Sequence, residues 1–105
     1  MSNAADVKVS GPGYRSSSDL ERILAAGYFA VTGEIGPPKN WDAEVIREKA
    51  KLLKDCVDCA NIPDNQTAIV RMSSIAAAII VKQEGLEPVI QMTCRDRNRL
   101  AMQSD

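Results

Sequence analysis

An α/β fold of parallel strands is predicted by three features of the chain. Three runs of strand character, at 28–35, 57–62 and 88–93, are separated by helical stretches at 43–55 and 72–84. Strands alternating with helices in this way form parallel sheets with right-handed crossovers. Polar residues collect at the C-terminal ends of all three runs: Glu34, then Asn61 with Asp64, then Gln91 with Thr93. In a (β/α)8 barrel, that end is where active sites are built. A barrel needs eight βα units and about 250 residues. These 105 residues carry about three units. The fold read from the sequence is therefore the N-terminal portion of a (β/α)8 TIM barrel over 18–105, preceded by a flexible Ser/Gly-rich tail at 1–17.

The elements follow in order. Ser18-Asp19-Leu20-Glu21 has the S-x-x-E form of a capping box. It predicts a short helix over 19–26, stopped by Gly27. The first strand, "YFAVTGEI", has two unlike faces. Phe29, Val31 and Ile35 point one way, and Ala30, Thr32 and Glu34 the other. Gly36-Pro37-Pro38 is a stiff loop, because each Pro fixes its own φ and restricts the residue before it. Asp42 caps a helix over 43–55, whose apolar stripe is Ile46, Ala50, Leu53 and Val57. "VDCANI" is the second strand, broken by Pro63-Asp64-Asn65. The next helix is Ala-rich on one side, so a neighbour must pack close to it, and Gly85 stops it. "PVIQMT" is the third strand, and Asp96 is placed to cap a last helix. In this register Glu34, Asn61, Gln91 and Thr93 converge at one end of the sheet, while Phe29, Val31, Ile90 and Met92 face helices.

Composition narrows the function classes. The chain is 45% apolar with a formal charge of −1, so it is neither disordered in type nor a basic nucleic-acid binder. No apolar run approaches the roughly 20 residues of a membrane span. The N-terminus lacks the pattern of a secretion signal. With three cysteines, an odd count, these features point to a reducing cytoplasm. Cys56-Val57-Asp58-Cys59 is formally C-x-x-C. A redox pair wants its first Cys at a helix N-terminus, but this one falls where a helix ends. The chain has no His to complete a zinc site. No metal is expected, and small buried thiols are the simpler reading.

Glu34 is the candidate catalytic group. A solvated carboxylate, or one paired with Lys39, is the plain alternative. Three details favour a functional role. Gly33 and Gly36 leave space beside it, as a ligand approaching the backbone would need. Pro37-Pro38 stiffens the loop just beyond. Polar residues from two later strands share its end of the sheet. Among apolar walls such a carboxyl is raised in pKa and suits general acid work. There is no G-x-G-x-x-G or G-x-x-x-x-G-K-[ST] after any strand, so neither nucleotide-loop fold is supported.

"VTGEIGPPK", then "ANIPDNQ", then "PVIQMTCRDRNR" together resemble the N-terminal part of methylenetetrahydrofolate reductase, in the form found in many anaerobic bacteria and archaea. The resemblance spans roughly 27–105, and its specificity lies in the order and spacing of the pieces. It implies a (β/α)8 barrel holding FAD, with FMN as the alternative, at its C-terminal face. Hydride would pass from NADH, NADPH or another electron donor to the flavin, then to 5,10-methylenetetrahydrofolate. Glu34 matches the Glu of the E-x-x-P-P motif, the proton donor that opens the folate ring to an iminium. Pro37 and Pro38 match its prolines, and Thr93 with Cys94 matches the third-strand T-C pair. Gln91 stands where the better-known pattern has His beside the flavin. Asn61-Ile62-Pro63-Asp64 replaces a T-Y-G-like run. Asn61, Asp64, Gln91 and Thr93 are the cofactor-binding candidates that the resemblance implies. Folate is the implied substrate and electron-donor subunits are possible partners; nucleic acid and membrane are not expected. Two readings stay open beside the enzyme: a non-catalytic βα module that self-associates or joins a partner chain, and a thiol protein using Cys56 and Cys59.

Overall fold

A computed structural model describes residues 14–105. The elements run α1 (Asp19–Ala25), β1 (Thr32–Glu34), α2 (Ala43–Leu53), β2 (Cys59–Ile62), α3 (Ser74–Gln83), β3 (Pro88–Ile90) and α4 (Arg99–Ser104), with short 3-10 turns at Gln66–Ala68 and Cys94–Asp96. The strands form one parallel sheet in the order β1-β2-β3. Residues 1–13 of the expected tail lie outside the described residues. Arg15, Ser16 and Ser17 are tied to α1: Arg15 N and Ser16 Oγ donate to the Glu21 carboxylate, and the Arg22 guanidinium donates to Ser17 O.

Local signals place the helix ends. Ser18 Oγ accepts from Glu21 N at 3.0 Å and starts α1. In place of the reciprocal half of the capping box, Ser18 N donates to Ser16 Oγ while the Glu21 carboxylate accepts from Arg15 and Ser16. Asp42 caps α2 by accepting from Glu44 N, and Ser73 caps α3 by accepting from Ala76 N. Gly27 and Gly85 have φ of +83° and +87° and end the turns after α1 and α3, a conformation that costs glycine nothing. The last helix is capped by Asn98, whose Oδ1 accepts from Ala101 N at 2.8 Å. Asp96 was the expected cap, but it lies inside the preceding turn and pairs with Arg95.

Both α2 and α3 cover the same face of the sheet. Ile46 and Ala50 of α2, Ala77, Ala78 and Val81 of α3, and Ile35, Ala60 and Ile62 from the strands form one buried cluster. The alanines let α3 lie close to its neighbours, as the Ala-rich pattern required. Alternation then puts Thr32, Glu34, Asn61 and Val89 on the opposite face. With α2 and α3 on one face, the three strands match a run of a barrel and one half of a doubly wound sheet alike.

The strands are shorter than the apolar runs. Tyr28 N is taken by Ile23 O at 3.1 Å, and backbone bonding to the second strand begins only with Asp58 N to Val31 O. Phe29, expected to face a helix, is 85% exposed. Val31 does pack against the core. Its N–H donates to Asp58 Oδ2, and Asp58 N donates to Val31 O. Ile90 lies on the helix side by its pairing with Ile62, yet is 43% exposed on the edge strand β3. That ladder continues one bond further, from Gln91 N to Ile62 O, and stops where Thr93 N turns to the Asp64 side chain.

Candidate functional site

The C-terminal strand ends bring the expected residues together in part. Glu34 pairs with Asn61, and Asn61 with Val89. Paired residues in neighbouring strands stand about 4.8 Å apart and share a face. Glu34 and Asn61 are therefore side by side on the face opposite α2 and α3, and Gln91 follows Val89 by two residues on the same side. Glu34 is exposed, and no hydrogen bond or ion pair reaches it among the described residues; Lys39 is not its partner. The described residues do not supply the apolar walls expected around it. No closed pocket forms among the described residues.

Gly33 serves a purpose other than the expected one. A Cβ there would stand 3.3 Å from Leu53 Cδ1 and 3.4 Å from Val57 Cγ1. The missing side chain makes room for the end of α2 on the helix face, not for a ligand beside Glu34. At Gly36 a Cβ would meet Gln66 Oε1 at 3.6 Å, an ordinary contact.

The Gly-Pro-Pro loop is held by its carbonyls. Prolines offer no N–H, so donors must come from elsewhere. Gly36 O accepts from Lys49 Nζ at 3.3 Å, Pro37 O from Arg71 Nη1 at 3.2 Å, and Pro38 O from Met72 N at 2.8 Å. Pro37 is fully buried. Arg71 went unnoticed in the sequence, although a loop rich in acceptors and poor in donors signals the need for such a group.

Asp64 and Thr93 are occupied within the chain. The Asp64 side chain is 2% exposed and forms an ion pair with Arg97 Nη1. Its Oδ2 also accepts from Thr93 N at 2.8 Å. The Arg97 hydrogen bond holds the Asp64 carboxyl below the usual carboxylate range, against the opposing effect of burial. Arg97, raised in turn by Asp64 and Asp105, also donates to Thr93 O and to Asp105 Oδ2. Thr93 Oγ1 accepts from Arg95 N and starts the next turn. By contrast, the side-chain amides of Asn61 and Gln91 make no hydrogen bond among the described residues. Those two fit a polar ligand edge; Asp64 and Thr93 hold loops.

No protein-family model, curated protein or solved structure matches the chain.

Cys56 and Cys59 lie where β2 starts, at the other end of the sheet, whereas Cys94 follows Thr93 in the turn after β3. Cys59 is buried at the start of β2, and burial, then Asp58 and Glu87, push its thiol up. A reactive thiol needs the opposite shift. Cys56 and Cys94 are exposed and unbridged. Among the described residues, no cluster of His, Cys, Asp and Glu could hold a metal ion, and no helix is long and apolar enough to cross a membrane.

Proposed function

We propose that this chain supplies the first three βα units of a (β/α)8 barrel that reduces 5,10-methylenetetrahydrofolate to 5-methyltetrahydrofolate with a flavin, as its resemblance to methylenetetrahydrofolate reductase implies. The observation that carries this reading is the pairing of Glu34 with Asn61 at the C-terminal strand ends, on the face opposite α2 and α3. Glu34 gives its proton to a folate ring nitrogen as the ring carbon–nitrogen bond breaks, leaving an iminium. Hydride addition to that carbon completes the methyl group. Bound FAD, reduced by NADH, NADPH or another donor, would supply the hydride. The free amides of Asn61 and Gln91 would hold its polar edge. Further strands would close the barrel and provide the apolar walls that Glu34 lacks.

The test uses the protein in the assembly it forms in its own cell, assayed for bound flavin and for folate reduction. Glu34→Gln should keep the flavin and its reduction by the donor, yet lower folate reduction by about 10²–10⁴-fold, roughly 3–5 kcal/mol of barrier. Parent-rate folate reduction by the Gln variant would remove Glu34 from the mechanism. An assembly without flavin or turnover would remove the whole reading.

One observation favours a second reading, a non-catalytic module that self-associates or joins a partner chain. Among the described residues both sheet edges are open, and Phe29, Trp41, Leu52 and Val70 are strongly exposed. A colourless, inactive oligomer would support this reading over the enzyme.

A further inference from the structure

The loops after β2 and β3 are joined by an unusual density of bonds for so small a sheet. Asp64 Oδ2 accepts from Thr93 N and from the Arg97 guanidinium. Arg97 Nη1 also donates to Thr93 O at 3.2 Å, so both backbone groups of Thr93 are gripped by one ion pair. Arg95 Nη2 reaches across to Asn65 O at 3.1 Å. From the other side, Ser74 Oγ donates to Gln91 O at 2.9 Å. The backbone from Gln91 to Thr93 is thus pinned by side chains from β2's loop, from α3 and from its own following turn.

The segment being held is strained. Asn65, Thr67 and Ala68 have φ of +46°, +57° and +59°. None is glycine, and residues in this conformation persist only where their surroundings enforce it. Inside the segment Ala68 N donates to Asn65 O, Ile69 N to Gln66 O and Thr67 Oγ1 to Gln66 O; from outside it Arg71 N donates to Asn65 Oδ1 and Arg95 to Asn65 O. Asp64 directly precedes this segment. Its side chain is almost completely buried and Arg97 is 13% exposed. Loss of Arg97 leaves the buried Asp64 charge without its cation, and loss of Asp64 leaves Arg97 only its pair with Asp105. The loss of either should therefore free the whole segment rather than one contact.

We propose that Asp64 and Arg97 are positioning residues that act as one latch. The latch holds the strained loop 65–68 against the end of β3, and so fixes Asn61 and Gln91 in place at the open end of the sheet. Its functional meaning rests on the folate-reductase reading, in which those two amides face the flavin; the latch itself is a property of the chain. It gives Asp64 a task other than ligand contact, and it brings in Arg97, whose role depends on a partner 33 residues away.

Hydrogen–deuterium exchange read by mass spectrometry tests the latch on the protein as it is. Arg97→Met and Asp64→Asn should each raise exchange over 64–71 and 91–97 by about 10- to 100-fold, the size expected for loss of a charged hydrogen bond. Exchange in β1 and α2 should stay at the parent level. Arg97→Lys, which keeps the charge and one donor, should restore part of the protection. The double variant should open the two segments no further than either single one, since the two side chains form one unit. Unchanged exchange in these segments, a uniform rise across the chain, or additive effects would each overturn the latch. FAD titration of the same proteins separates the two claims. A latch that opens as stated in a protein that never binds FAD stands alone and counts against the folate reading. Tighter FAD binding by Arg97→Met than by the parent would overturn the positioning role.

Discussion

Gly33→Val places two methyl groups where the end of α2 already lies. Even the first added carbon would stand 3.3 Å from Leu53 Cδ1 and 3.4 Å from Val57 Cγ1. Leu53 is only half-buried and can give way by a few tenths of an ångström. Gly33→Ala should therefore be close to neutral, with that small clash offset by the roughly 0.4–1 kcal/mol that Gly→Ala gains by restricting the unfolded chain. Valine has no such escape. Its branches must displace Val57, which is buried, or push α2 off the strand, and overpacking of this kind costs about 1–3 kcal/mol. For a domain of this size, 1 kcal/mol moves the melting temperature by about 4–8 °C. Gly33→Val should thus melt roughly 5–20 °C below the parent, with Gly33→Ala near it. Circular dichroism at a fixed protein concentration reads this directly, because association would otherwise shift the midpoint. A Gly33→Val protein that melts with the parent but has lost a ligand would refute the helix-clearance account and restore the ligand-clearance one.

Two further outcomes are expected. Asp64 titrates below the usual carboxylate range because Arg97 and Thr93 N–H stabilise its charged form, with Arg95 adding to the attraction; Asp96 and Asp105, which share these arginines, are the nearby carboxylates. Its contribution is complete above the ordinary carboxylate pKa and is lost as pH falls through its depressed value. Acid below about pH 4 should therefore lower stability more in the parent than in Asp64→Asn, and equal acid sensitivity of the two would contradict the assignment. The open edges of β1 and β3, together with exposed Phe29, Trp41 and Val70, should make the 105-residue chain self-associate at micromolar concentration. Sedimentation showing a cooperatively melting 11.4 kDa monomer would contradict this.

Much of the fold was legible because its signals are local. The Ser18 and Asp42 caps and the Gly27 and Gly85 stops act within a few residues of where they stand. The stripe of Ile46, Ala50 and Leu53 needs only the helical period to show which side is buried. The alternation of strands and helices was enough to predict a parallel sheet, and the pairing of Glu34 with Asn61 follows from two strands ending level. The strand starts were less legible. Tyr28 and Phe29 read as strand by composition, but the turn after α1 takes the Tyr28 N–H for Ile23 O, and β2 offers no partner so far back.

The site divides along the same line. That polar side chains gather at the C-terminal strand ends is a matter of sequence position and alternation, and the sequence alone determined it. Which of them stay free for a ligand was decided only by tertiary structure. Asp64 and Thr93 look like Asn61 and Gln91 on paper; they differ because Arg97, 33 residues from Asp64, folds back onto one pair and not the other. Gly33 likewise reads as space beside Glu34 until α2 is docked against it. A residue's period and its neighbours in the chain dictate the face it takes. Its partner on that face depends on where distant segments come to rest, and a buried carboxylate stays charged only where one of them brings a cation in good geometry.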